Sequence, residues 1–563
     1  MKSRDKFVLR YLFKVITIAL YIMVRTLFSL GFFGFVGFLA PILAFDYNSA
    51  ANNLLNTSTV LNKFTEVVEG TFRFWQTTDC LNILYETSPF QSYFGCYLQN
   101  PGAPYGLMLF PPHTNETIDE YYGFPIEDTN QFTGTWHLKP RDVIILLGLT
   151  PPECKYFSFS NYLYSRHLDK DWIPDYSMRG HSRLCPNGTV ADRCEFFASL
   201  DDSLNLDRGL NLEKDRFNST IVLVLGASVE GIELAKQALV EAGVSLNLIS
   251  NYSFPGTELN LGINTTSDTF ITVMRTAYYK NKDDADDYFN NVPYRVFRME
   301  LMQENYTLYG RQLLVERITG NDELDYIGIS ATDMAESMLY ITKELIATTS
   351  NNDVDKWYIQ VTNTKAGTPD SGFDCIEHGQ MCLADCRDTV YPFSMEIYDR
   401  AVYCENKHID TDDCIGLTDG LLTNDDNDVI YVIGVNHAKT NMSGYASISV
   451  YDANYFWGVD GIGDDIMDGS VWNYISSISS YNDVFQKAFS FMYVIEIRRQ
   501  CKENITTCLE LSSSPTDGFT SGFIPLNDIV VLVERMYNNP NTHVGPDSSE
   551  VILPIILHMR YKS

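Results

Sequence analysis

The hydrophobic pattern changes character several times along the chain, and each change predicts an element. The run Thr26–Phe45, TLFSLGFFGFVGFLAPILAF, has twenty residues and no charge. Twenty helical residues rise about 30 Å, the thickness of a bilayer's hydrocarbon core. From 46 to 75, Leu54, Leu55, Val60, Leu61, Phe64, Val67 and Val68 recur at three- and four-residue steps, which predicts a helical stalk. Strand patterns come later. Asp142–Leu149, DVIILLGL, is a short continuous apolar run between prolines. In Lys155–Arg166, KYFSFSNYLYSR, one face carries Tyr156, Ser158, Ser160 and Tyr162, and the other Phe157, Phe159, Asn161 and Leu163. A period of two with aromatics predicts a strand.

Ser219–Ala227 predicts a strand, Ser228–Gly243 an amphipathic helix and Val244–Ser250 a second strand. Ser228 suits the helix N-cap, Glu230 and Glu233 its positive end, and Gly243 its close. The link LGASVEG lacks the glycine spacing and the lysine of a phosphate-binding loop, so the unit reads as packing. Asp283–Tyr288, DDADDY, predicts a solvated loop. Helical spacing returns at 331–350, with Thr332 as the expected cap, and KWYIQVTNT predicts a strand. VIYVIGVN and YASISVYD predict two strands around a Lys-Thr-Asn-Met-Ser-Gly turn. DIVVLVERMY and EVILPIILHMRY close the chain. No internal repeat of regular period is legible. Helices and strands mix without strict alternation, so the expected class is α+β: an N-terminal transmembrane helix, then a large mixed α/β, disulfide-stabilised ectodomain. The expected boundaries are a basic leader at 1–25, the span at 26–45 and the stalk at 46–100. A mixed domain with the strand–helix–strand unit follows at 101–320, and a second, cysteine-rich one at 321–563.

Charge turns the apolar run into a topology. Lys2, Arg4, Lys6, Arg10 and Lys14 precede it and no basic residue closely follows it. This predicts a signal anchor with a cytosolic N-terminus. Of 41 basic and 72 acidic side chains, residues 1–45 hold six and one. The remainder therefore carries −36, which argues against nucleic acid, whose partners need a basic footprint. All 12 cysteines lie beyond the span. So do nine Asn-x-Ser/Thr sequons, at Asn56, Asn115, Asn187, Asn218, Asn251, Asn264, Asn305, Asn441 and Asn504. The pattern predicts a glycosylated lumenal or extracellular ectodomain of the secretory pathway.

Candidate chemistry is read within that compartment. Asp374–Tyr391, DCIEHGQMCLADCRDTVY, holds Cys375, Cys382 and Cys386 beside His378. In an oxidising compartment the reading is disulfides rather than zinc or a redox pair, since CLADC is not C-x-x-C. The expected disulfide cysteines are Cys80, Cys96, Cys185, Cys194, Cys375, Cys382, Cys386, Cys404, Cys414, Cys501 and Cys508. Local pairs are expected at Cys80–Cys96, Cys185–Cys194 and Cys501–Cys508. A stapled loop would hold Arg387 and Asp388 still, and a fixed arginine suits carboxylate or phosphate. His437, at the end of an apolar strand beside Asn436, suits a general base. Arg387, Asp388 and His437 are thus the catalytic candidates. Tyr156, Phe159, Tyr162, Arg166, Tyr391 and Asn436 are the binding candidates, on the density of aromatics. Asp460, Asp464, Asp465 and Asp468 in DGIGDDIMDG offer oxygens to calcium outside the EF-hand pattern. No other cofactor is evident. A ligand- or partner-binding ectodomain is the expected function, with a dispersed-site hydrolase and a structural surface protein as alternatives.

Overall fold

The structure is a computed structural model that describes residues 46–75, 100–101, 103–116, 132–167, 193–212, 215–366, 371–378, 382, 384–394, 422, 427–452, 458–475, 483–503, 505–514, 523–526 and 529–562. The chain divides into two compact units, Met1–Ser49 and Ala50–Ser563. Every sheet among the described residues belongs to the second unit.

Its first half supplies β1 (Phe64–Glu69), β2 (Thr71–Trp75), β3 (Tyr105–Leu109), β4 (Trp136–His137), β5 (Asp142–Leu149) and β6 (Cys154–His167). It continues with β7 (Arg193–Ser199), β8 (Leu204–Asn205), β9 (Thr220–Gly226), β10 (Ile249–Ser253), β11 (Thr269–Tyr279) and β12 (Tyr294–Leu301). The second half supplies β13 (Trp357–Asn363), β14 (Lys365–Ala366), β15 (Thr389–Val390), β16 (Pro392–Phe393), β17 (Val429–Val435) and β18 (Tyr445–Asp452). Then come β19 (Gly458–Gly463), β20 (Met492–Arg498), β21 (Cys508–Glu510), β22 (Val530–Tyr537) and β23 (Ile555–Tyr561).

These strands form the same two-sheet sandwich twice. The outer sheet of the first half runs β1-β12-β5-β9-β10, and that of the second runs β13-β23-β17-β20-β21. In each, the last pair is parallel and the others antiparallel. The inner sheets run β2-β3-β11-β6-β7 and β14-β16-β22-β18-β19, with β4, β8 and β15 as side pairings. Each position in one order has its counterpart in the other.

Residues repeat with the topology. β6 reads Tyr156-x-Ser158-x-Ser160-x-Tyr162, and β18 reads Tyr445-x-Ser447-x-Ser449-x-Tyr451. Opposite the first serine of each stands an arginine, Arg275 on β11 and Arg535 on β22. Opposite the second stands a valine, Val273 or Val533. The repeat escapes a search for periodicity because it rests on spaced positions in strands nearly three hundred residues apart.

The alternation in these strands serves two cores. Phe157 and Phe159 turn into the first sandwich against Ile144, Leu146, Leu223 and Leu225. Ile448 and Val450 turn into the second against Ile430, Val432 and Ile495. The opposite faces meet between the halves, where Tyr156 and Ala277 pack with Tyr445, Tyr451 and Tyr537. Helix Val229–Glu241 lies against β9 and β5. Helices Ala331–Thr349 and Asp483–Phe491 cover the outer sheet of the second half.

Several expectations are corrected. Among its described residues the stalk is helical only at Tyr47–Leu54 and Ser58–Lys63; Phe64–Glu69 and Thr71–Trp75 are strands. Phe64, Val67 and Val68 fit a helical step, but Thr65, Val67 and Val68 are β-branched and favour a pleated surface. The acidic loop at 283–288 is helical, within Lys282–Asn290, its N-cap Asn281 accepting from the Asp283 N–H. Acids in a first turn are favoured by the helix dipole. Ser330 rather than Thr332 caps helix Ala331–Thr349, in a capping box with Asp333. β17 and β18 are not a hairpin, since they lie in different sheets. The strand–helix–strand order stands, with β9 and β10 parallel and Gly243 at φ +99° just past the helix. The second strand, however, is Ile249–Ser253 rather than Val244–Ser250, since Leu246–Leu248 forms a 3-10 turn, and Ser228 sits at the N-cap without a side-chain capping bond. Among the described residues no helix is long and apolar enough to cross a membrane. The expected span at 26–45 lies outside those residues.

Candidate functional site

The cysteine-rich segment of the second half is seated on the first. Helix Gly372–His378 and the Cys375–Cys382 disulfide pack Phe373 and Ile376 into the first-half core. The Cys382 N–H donates to Phe196 O at 2.8 Å, and the Ala384 N–H to Phe197 O at 3.0 Å. Asp385 accepts from the Ser199 N–H at 2.8 Å and from its hydroxyl. Gly372 is required here, because a Cβ would lie 2.1 Å from Ser199 O. A second disulfide joins Cys501 and Cys508, as expected, and Cys194 is also disulfide-bonded. Cys386 is corrected: it is a free, buried thiol. Cys80, Cys96, Cys185, Cys404 and Cys414 lie outside the described residues, as do Asn187 and Asn504.

The strap holds the residues after it against the layer between the halves. The Arg387 Nε donates to Asp202 Oδ1 at 3.0 Å. Asp388 does not pair with Arg387; its Oδ2 lies 2.6 Å from the Tyr156 hydroxyl, which donates to it. Burial pushes the Asp388 carboxyl up to about 6, against the pull of that hydrogen bond. Burial lifts Asp385 to about 6 as well, and raises the Cys386 thiol.

Two matched arginines sit in this layer. The Arg275 guanidinium lies 5.3 Å from the ring centre of Tyr162 and 5.6 Å from that of Tyr105. Arg535 lies 5.1 Å from Tyr451 and 5.5 Å from Tyr391. Tyr105 stands opposite Arg275, and the register of β15 places Tyr391 opposite Arg535. Arg275 donates to Ser160 Oγ and Ala384 O, both at 3.1 Å. Tyrosine faces favour the buried cations. Tyr445 stacks on Tyr537 at 4.7 Å, and Tyr156 reaches Tyr537 at 4.5 Å. Tyr156, Tyr162 and Tyr391 thus come together, with Asp388, in a sealed layer.

His437 lies elsewhere and does not meet Asp388. Its Nδ1 is 2.8 Å from Glu323 Oε1 and its Nε2 3.3 Å from Glu534 Oε1. Thr440 donates to the same Glu323 oxygen, the Ile552 N–H to the other, and Tyr493 to Glu534 at 2.9 Å. Burial alone would lower the imidazole's pKa; the two carboxylates overcome it and push it up to about 10. At neutral pH this histidine is a buried imidazolium with no lone pair to act as a base. Glu323 and Glu534, far from it in sequence, carried no local signal.

The remaining candidates are dispersed. Phe159 is core. Arg166 forms a two-point contact with Asp268, at 2.9 and 2.7 Å. Asn436 donates to Asp464 O at 2.9 Å. Asp464 and Asp465 share Lys155 of the first half, at 2.9 and 2.6 Å, and Asp468 takes Lys439 at 2.5 Å. Asp460 accepts from the Gly461 N–H at 2.7 Å. Among the described residues no three ligating side chains converge as a metal site.

What lies open is an edge. Among the described strand residues, large exposed hydrophobics occur only on β13: Tyr358 at 55%, Ile359 at 37% and Val361 at 49%. Among the described strands, β13 pairs on one side with β23 and forms the end of its sheet. Its counterpart β1 carries Glu66 and Glu69, and Glu69 pairs with Arg295 at 2.7 Å. Charges on an edge strand oppose pairing with further chains. β13, WYIQVTN, has none.

No protein-family model matches the chain, and no curated protein matches it. Among solved structures, an uncharacterised protein from Burkholderia cenocepacia aligns over 92% of this chain and 87% of its own, at 8% identity and a TM-score of 0.32. The VPA0106 protein from Vibrio parahaemolyticus aligns over 90% of this chain and 100% of its own, at 11% identity and a TM-score of 0.29. Likeness of this degree assigns no activity; the chain is a disulfide-bonded, mixed α+β protein similar to uncharacterised ones.

Proposed function

We propose that the protein is a membrane-anchored, N-glycosylated ectodomain of the secretory pathway that binds a protein partner through the open edge of β13. The exposed, uncharged β13 carries this reading. An edge strand offers main-chain hydrogen bonds for affinity and alternate side chains for specificity. The disulfides fit an oxidising compartment. Seven sequon asparagines fall among the described residues, Asn56, Asn115, Asn218, Asn251, Asn264, Asn305 and Asn441, and all seven are exposed. The hydrolase alternative loses its base, since His437 is buried and held protonated. The apolar run at 26–45 supplies the anchor.

Translation of the full chain into microsomes tests the reading. The expected result is a ladder that collapses on glycosidase treatment, with the bulk of the chain protected from added protease. An unshifted, protease-accessible chain overturns it.

A further inference from the structure

The open strand is self-complementary, and we propose that β13 pairs antiparallel with β13 of a second copy of this chain, making a twofold dimer through a continuous outer sheet. This rests on the binding role proposed above and names the partner. Even-numbered residues of β13 bond inward to β23, as the bond from the Lys562 N–H to Lys356 O shows. In an antiparallel ladder the partners alternate, so Ile359, Val361 and Asn363 turn their N–H and C=O groups to the open edge, while the Trp357 N–H donates to Val354 O. A twofold axis through Gln360 sets Ile359 opposite Val361 of the other copy. It also sets Tyr358 opposite Thr362 and Gln360 opposite itself. Each exposed branched side chain then faces another on the same side of the sheet, the pairing that stabilises ladders.

The flanks agree in charge. Asp353 and Asp355 precede the strand and Lys365 follows it, all three exposed. The antiparallel twofold brings the flank before the strand, with Asp355 in the short helix Val354–Lys356, toward Lys365 at the start of β14 in the other copy. β1 cannot take this role, because Glu66 and Glu69 would meet like charges in a second copy.

Full-length protein in detergent, measured by light scattering after size exclusion, is expected to be a dimer at micromolar concentration. Val361→Lys is expected to be a monomer with unchanged circular dichroism and disulfides. Cysteine cross-linking in native membranes reads the register. Residues opposite each other at a non-hydrogen-bonded site lie about 4.5 Å apart, within disulfide reach. Gln360→Cys is expected to cross-link to itself. Tyr358→Cys and Thr362→Cys are expected to cross-link only when co-expressed. A monomeric wild-type chain, a dimer indifferent to Val361→Lys, or cross-linking at Tyr358→Cys alone overturns the proposal. A monomer whose chain still shows the glycan ladder and protease protection leaves the anchored-ectodomain reading standing.

Discussion

Replacing His437 by alanine tests the claim that a buried cation, rather than a catalytic base, occupies the end of β17. The substitution leaves Glu323 and Glu534, both essentially inaccessible, facing a void. Glu323 keeps the Thr440 hydroxyl and the Ile552 N–H, and Glu534 keeps the Tyr493 hydroxyl. Removing one member of a buried ion pair costs about 3–5 kcal/mol, because the partner's charge is left uncompensated. The pH dependence supplies a second signature. The folded pKa, about 10, lies above the unfolded value of about 6.5. A raised histidine contributes stability that is complete below about pH 6.5 and is lost as pH climbs toward 10, at about 1.4 kcal/mol per unit. Guanidinium unfolding followed by pulse proteolysis at pH 6, 7.5 and 9 measures both effects. The wild type is expected to weaken between pH 7.5 and 9 with a slope that His437→Ala lacks. Adding Glu534→Gln to His437→Ala is expected to recover part of the loss, since coupled residues are not additive. A cost under about 1 kcal/mol at pH 7.5, far below that of a broken buried pair, or equal slopes in both proteins, refutes the argument.

Three further outcomes follow from the layer between the halves. Asp388→Asn is expected to flatten stability between pH 4 and 6. The acid's folded pKa of about 6 exceeds its unfolded value, so the wild type is favoured below about pH 4 and loses that share as pH rises through 6; melting curves across this range check it, and parallel curves refute it. Gly372→Ala is expected to unseat the stapled helix from β7, because its Cβ would meet the Ser199 backbone; faster limited proteolysis near residue 372 reports this. Non-reducing peptide mapping after denaturation is expected to find Cys154 and Cys386 alkylated and Cys375 bonded to Cys382; with no denaturant, alkylation of Cys386 is expected to be slow.

The legible features were those set by local pattern. The alternation in Lys155–Arg166 announced a strand, and the strand–helix–strand unit at 219–253 was marked by its apolar runs and by Gly243 at the helix end. What the alternation could not say was that both faces are buried. The aromatic face lies inside one sandwich, and the Tyr/Ser face lies against the other half. The misread hairpin has the same origin. β17 and β18 adjoin in sequence, yet the chain crosses from the outer to the inner sheet between them, and no residue in the turn encodes that crossing. Compartment chemistry correctly made a staple of Cys375 and Cys382. It misassigned Cys386, which lies one step past the strap, in the layer beneath Tyr156. The partners of His437 come from 114 residues before it and 97 after it, which local reading does not reach.

The duplication also shows which residues serve packing and which do something else. A feature present in both halves answers a demand the fold makes twice. The Tyr-x-Ser-x-Ser-x-Tyr strands and their arginines qualify. Each guanidinium sits between two tyrosines in the layer where the inner sheets meet, so their repetition speaks for assembly of the halves rather than for a ligand. Differences between the halves lack that explanation. Among the described residues the strap around Gly372–His378 and Cys382 has no counterpart in the first half, and it pins the second half to the first. The Glu323–His437–Glu534 cluster exists once, and it ties the segment before helix Ala331–Thr349 to β22 and to the end of β17. The edges differ as well. Among the described strands both outer sheets end in one that pairs on one side only, so both face the same hazard of pairing with another chain. β1 meets it with two glutamates, while β13 leaves tyrosine, isoleucine and valine exposed. Since the fold makes the same demand at both ends, fold stability does not account for the difference. The pairing proposed for β13 would account for it.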